Sequence, residues 1–98
     1  MKILVIEDDR EAADYLHKAL AEAGHNAHVA GDGETGFALA GDGDYDVLVV
    51  DRMLPRRDGL SVIAALRARG VKTPVLILSA LGEVDDRVGL RLGRERQR

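Results

Sequence analysis

The 98-residue chain contains no cysteine. That excludes a disulfide framework and a thiolate metal site, and it suits a reducing compartment. Long apolar runs are also missing. The N-terminal stretch MKILVIEDD has four apolar residues, 3–6, before acids begin. That is too short for a membrane span or the apolar core of a signal peptide, so a cytoplasmic protein is expected. No repeat, low-complexity tract or linker divides the chain. What is present, 46% apolar and 32% charged residues, is the composition of one soluble globular domain. The net charge of −3 is uneven: residues 87–98 hold five Arg and one Glu, +4, which leaves −7 for the acidic body.

Three apolar runs read as strands: Ile3-Leu4-Val5-Ile6, Val47-Leu48-Val49-Val50 and Val75-Leu76-Ile77-Leu78. They are continuous rather than alternating, the pattern of strands buried on both faces of a parallel sheet. Ala27-His28-Val29-Ala30 is half polar and suits an edge strand. Helical patterns lie between the strands. Residues 10–23 place Ala12, Ala13, Leu16, Ala19, Leu20 and Ala23 on one face, with Asp9 as cap and Gly24 as stop. A weaker helix over 33–41 has Asp32 as cap and Phe37 as its one large anchor. Residues 59–69 turn Leu60, Ile63 and Ala64 inward and end at Gly70. A last helix is expected to start near Glu83. The alternation predicts a parallel sheet with helices on both faces.

Glu7, Asp8 and Asp9 follow the first run, Asp51 the second and Ser79 the third. In a parallel sheet those three ends share one edge, where ligands of open α/β sheets bind. Clustered carboxylates repel unless a cation sits among them. Oxygen-only ligands favour a hard ion, Mg²⁺ over Zn²⁺. A carboxylate can also act as a nucleophile and take a phosphoryl group. Asp9 has a plainer reading as a helix cap. His17, His25 and His28 show no ligand spacing and read as surface residues. Asp42, Asp44 and Asp46 faintly suggest a calcium loop, but the Glu such a loop needs at its end is missing, so a solvated turn is expected. Arg56 and Arg57 read as a solvated loop.

ILVIEDD, DVLVVDRMLPRRDG and PVLILSA resemble, in order and spacing, the three signature segments of response-regulator receiver domains, with the OmpR-like transcription regulators as the nearest group. The resemblance covers residues 1 to about 92. It implies a flavodoxin-like α/β fold, strand order 2-1-3-4-5. It makes Asp51 the phosphoacceptor and Ser79 the switch hydroxyl, with Ala80 the small residue beside it. Mg²⁺ would be held by Asp8 and Asp51, by Glu7 through water, and by the backbone carbonyl of Met53. Pro55 and Gly59 match the loop after the acceptor. The implied partner is a sensor histidine kinase, and the chain would be a phosphoacceptor module rather than an enzyme in the wider sense.

After Ser79 the match weakens. The family's fifth strand ends in a Lys-Pro pair whose Lys contacts the phosphate, and no Lys follows Lys72 here. The expectation is therefore a single receiver domain over 1–98, order 2-1-3-4, lacking the fifth strand and helix and any effector domain. Phosphorylation should then be slowed, and the run 75–78 should be a bare sheet edge that favours a homodimer or larger assembly. A phosphorylation-impaired dimerisation module is the alternative. Arg87, Arg91, Arg94 and Arg98 fall on one helical stripe, with Val84, Val88 and Leu92 on another. Nucleic-acid binding through these Arg is disfavoured, because the body is acidic and no reading element is evident. A fragment of a longer protein would show the same chain end.

Overall fold

The apolar runs form the centre of the sheet. The structure, a computed structural model, describes residues 1–52, 54, 58–78 and 84–85. In chain order these give β1 (Lys2–Ile6), α1 (Arg10–Glu22), β2 (Asn26–Ala30), α2 (Gly33–Asp42), β3 (Val47–Asp51), α3 (Gly59–Ala68), β4 (Val75–Leu78) and β5 (Val84–Asp85). The strand order is β2-β1-β3-β4-β5. The first four are parallel, as expected, with Ile3 beside Val47 and Ala27, and Asp51 beside Leu78.

Alternate residues of each run enter opposite layers. Leu4, Ile6, Leu48, Val50, Val75 and Ile77 pack with Ala40 of α2 and with Val62, Ile63 and Leu66 of α3. Ile3, Val5, Val47, Val49 and Leu76 face the other way, toward Leu16 and Leu20 of α1. Leu4, Val5, Ile6, Val50 and Val75 are fully buried. Each such side chain contributes about 1.5–3 kcal/mol over an exposed one. Burial on both faces explains why the runs do not alternate with polar residues.

Asp9 and Asp32 cap α1 and α2 as the sequence predicts, and Asp58 adds a cap to α3. The Asp9 carboxylate accepts from the backbone N–H of Glu11 and Ala12, Asp32 from Thr35, and Asp58 from Ser61. Gly24 and Gly70, at φ +93 and +84, end α1 and α3 in the left-handed region that glycine adopts freely. The Arg67 guanidinium donates to the carbonyls of Val71 and Thr73, at 3.0 and 2.9 Å, and ties down the turn into β4.

Three expectations change. On α3 the buried set is Gly59, Val62, Ile63 and Leu66, while Ala64 is exposed. Spacing of 3, 4 and 7 residues from Gly59 sets this face, and the helix start at Gly59 decides it. On α1, Ala13 is buried and Ala12, Leu16 and Leu20 are half-buried, but Ala19 and the C-cap residue Ala23 face solvent. The third change concerns the expected helix near Glu83. Val84–Asp85 is a strand instead, antiparallel to β4, with Val84 beside Leu78 and Asp85 beside Ile77. The edge of β4 offers unpaired N–H and C=O groups, and pairing with the following segment satisfies some of them. β5 is therefore not the parallel fifth strand of the implied order. It also takes up part of the edge that the expected homodimer would use. The whole Arg stripe, Arg87, Arg91, Arg94 and Arg98, lies outside the described residues.

Candidate metal and phosphate site

Glu7 leaves the end of β1 while its backbone N–H still donates to the carbonyl of Ala30 at 3.0 Å. The ladder thus carries Glu7 into the buried layer, and it is the charged residue found buried among the described residues, at 7% exposure. Its carboxylate accepts from the backbone N–H of Asp9 at 3.0 Å. Burial pushes the Glu7 carboxyl up from 4.5 to about 7. A hydrogen bond to Asp51 that only the protonated form donates, and the charges of Asp51 and Asp8, act in the same direction. The Asp9 N–H opposes them.

Asp51 ends β3. It is half-buried, with Leu78 of β4 as its register partner, and the N–H of Arg52 donates to the Leu78 carbonyl at 3.0 Å. Asp8 is exposed. Glu7, Asp8 and Asp51 each present a carboxylate oxygen, and these atoms lie within 4.8 Å of one another. The parallel sheet therefore brings together the acidic residues the sequence singles out. Asp9 stays apart as a cap. Met53, Pro55, Ser79 and Ala80 lie outside the described residues.

Three carboxylates with only oxygen donors fit a hard divalent ion. The raised Glu7 carboxyl shows the same fit from the other side, since two negative neighbours and a buried setting call for either a proton or a cation there. Elsewhere, Asp46 accepts from the backbone N–H of Lys2 at 2.7 Å, a structural contact of a turn residue. His28 meets the Tyr45 hydroxyl at 2.9 Å, and His25 meets the N-terminal amine at 3.2 Å. His17 and His28 are exposed and His25 is half-buried.

Two features are not legible in the sequence. Glu7 is marked as a metal residue by its motif, but its place in the protein interior is not. Gly59 matches a motif, but the close approach of α3 to the main chain at Asp51 is not visible there. A glycine directly after the Asp58 cap was the available signal for the second.

A family model described as the response regulator receiver domain matches residues 3–93. The transcriptional regulatory protein CusR of Escherichia coli (strain K12) is 42% identical over 96 residues, 97% of this chain and 42% of the relative. The probable transcriptional regulatory protein SilR of Salmonella typhimurium is 46% identical over the same length and shares. This chain spans about two fifths of the length of these relatives. Among solved structures, the receiver domain of Francisella response regulator 1452 superposes with a TM-score of 0.79 at 40% identity, covering 84% of this chain and 68% of that one. The response regulator TrrA of Thermotoga maritima, solved with Mg²⁺ and BeF, gives 0.76 at 28% identity, covering 81% and 69%. No helix among the described residues is long and apolar enough to cross a membrane. By motif, sheet order and acidic cluster alike, this chain belongs to the response regulator receiver domain family.

Proposed function

We propose that the chain is the phosphoacceptor of a two-component relay, with a sensor histidine kinase as donor and Asp51 as acceptor. The observation that carries this reading is the convergence of Glu7, Asp8 and Asp51 from two strand ends within 4.8 Å. A carboxylate oxygen of Asp51 attacks phosphorus, the bond from phosphorus to the donor breaks, and the donor keeps that electron pair. Glu7, Asp8 and Asp51, with the Met53 carbonyl, are the residues that would hold Mg²⁺. When bound, the ion offsets the repulsion among the carboxylates and the charge of the phosphoryl group. Ser79 is the hydroxyl that would donate to a phosphoryl oxygen once the group arrives, and shift with it. The TrrA relative, solved with Mg²⁺ and BeF, supports the choice of ion.

The relatives are transcription regulators, so the proposed setting is the receiver part of a cytoplasmic DNA-binding regulator. Intact-mass measurement after incubation with Mg²⁺ and a small phosphodonor tests the reading. One added phosphoryl group is expected, and none on Asp51→Asn. A chain that binds Mg²⁺ yet gains no adduct would favour the alternative, a binding and assembly module. Homodimerisation, expected through the edge of β4, is a separate proposal, and the exposed Tyr15 and Ala19 on α1 add a second surface for it. A stable monomer by light scattering at micromolar concentration would rule it out.

A further inference from the structure

α3 starts unusually close to the strand it follows. The N–H of Gly59 donates to the carbonyl of Arg52 at 2.9 Å, which closes the loop after β3. A Cβ at Gly59 would collide with the Asp51 carbonyl oxygen, and it would lie 2.9 Å from Val50 Cγ1 and 3.1 Å from Arg52 Cα. Gly59 has no left-handed φ, so the requirement is space and not backbone conformation.

Something would have to yield to that Cβ. α3 is anchored in the core by Val62, Ile63 and Leu66, at 0, 5 and 1% exposure. Val50 is at 0% and has nowhere to go. Close-packed interiors transmit such strain rather than absorb it. The softer partner is the end of β3, Asp51 and Arg52, where the sheet gives way to a loop.

We infer that Gly59 is a positioning residue for Asp51: its missing side chain lets the first turn of α3 seat against the Asp51 main chain, and so sets where that carboxylate stands relative to Glu7 and Asp8. This rests on the reading of Asp51 as acceptor and metal ligand. Losing an outer partner that orients a metal ligand by a hydrogen bond costs about 10–100-fold in metal affinity, which sets the scale for a displaced Asp51.

The test compares Gly59→Ala with Gly43→Ala. Gly43 is equally crowded, since a Cβ there would lie 2.5 Å from the Tyr45 ring and 2.9 Å from the Leu39 carbonyl. It sits before β3, at the opposite end of the strand from Asp51, and so controls for lost stability alone. Mg²⁺ affinity by calorimetric titration and adduct rate at saturating Mg²⁺ are the readouts. Gly59→Ala should weaken Mg²⁺ binding about tenfold or more and slow the adduct step. Gly43→Ala should lower Tm and leave Mg²⁺ affinity unchanged. Equal Mg²⁺ affinity and adduct rate in Gly59→Ala and the parent chain would overturn the inference, as would equal losses in both variants. If Gly59→Ala does not fold, the parent chain still decides. Its Gly59 amide resonance should move with Mg²⁺ and saturate with the binding curve, and an unmoved resonance overturns the inference. A parent chain that neither binds Mg²⁺ nor forms an adduct overturns the acceptor reading itself, a result distinct from any of these.

Discussion

Glu7, buried at the end of β1, holds a carboxylate oxygen within 4.8 Å of one on Asp51 at the end of β3. The two residues are 44 positions apart in sequence, and the sheet order, with β1 beside β3, is what makes them neighbours. Two acids this close, one of them out of water, cannot both ionise without cost.

The first prediction follows from that cost. The folded chain holds the Glu7 proton up to about 7, whereas the unfolded chain releases it near 4.5. Between those values the folded state binds more protons, so the Glu7 contribution to stability falls as pH rises through the window and stays low above it. Mg²⁺ binds the ionised form. Thermal unfolding should show a larger Mg²⁺-induced rise in Tm at about pH 8 than at about pH 5. A rise that is the same at both would contradict the assignment.

Glu7→Gln keeps the acceptor for the Asp9 N–H and removes the charge. In the absence of metal it should stabilise the chain by about 1–3 kcal/mol at about pH 8 and by little at about pH 5. Mg²⁺ affinity should fall at the same time. Denaturant unfolding at the two pH values, with a chelator present, measures the first effect. Destabilisation at the higher pH would count against a strained carboxylate.

Asp9→Ala separates the cap from the metal site. Its carboxylate serves the N–H of Glu11 at 3.0 Å and Ala12 at 3.3 Å. The variant should lose about 1 kcal/mol of stability, the usual value of an N-cap. Mg²⁺ affinity should persist, because the Asp9 N–H to Glu7 comes from the main chain. Loss of Mg²⁺ binding in a folded variant would make Asp9 part of the site.

The face of α3 is open to a simple comparison. Val62 is at 0% exposure and Ala64 is exposed. Val62→Lys should cost about 4 kcal/mol or more, since it buries an unpaired charge, while Ala64→Lys should stay within about 0.5 kcal/mol. Circular dichroism melting curves of the two variants distinguish this face from one with Ala64 inward.

Much of this site can be read along the chain. Asp51 ends a run of four apolar residues, and Glu7 and Asp8 end another. Two such runs in a parallel sheet must finish on one edge, so the meeting of these acids follows from local pattern plus topology. Asp9 and Asp32 were legible as caps because a cap bonds only to its own next turn. The expected helix near Glu83 was not borne out, because its rival was a pairing with β4 that helical periodicity does not contain.

The sequence by itself determined the elements from β1 to β4, their order, the caps of α1 and α2 and the edge where the acids collect, since each depends on neighbours within a turn or on strand periodicity. Tertiary structure alone decided that Glu7 is buried enough to hold its proton near neutrality, that Gly59 touches the Asp51 main chain, and that β4 gains an antiparallel neighbour. Those are distances between segments far apart in the chain. They are set by how whole layers pack, and no local pattern of residues records them.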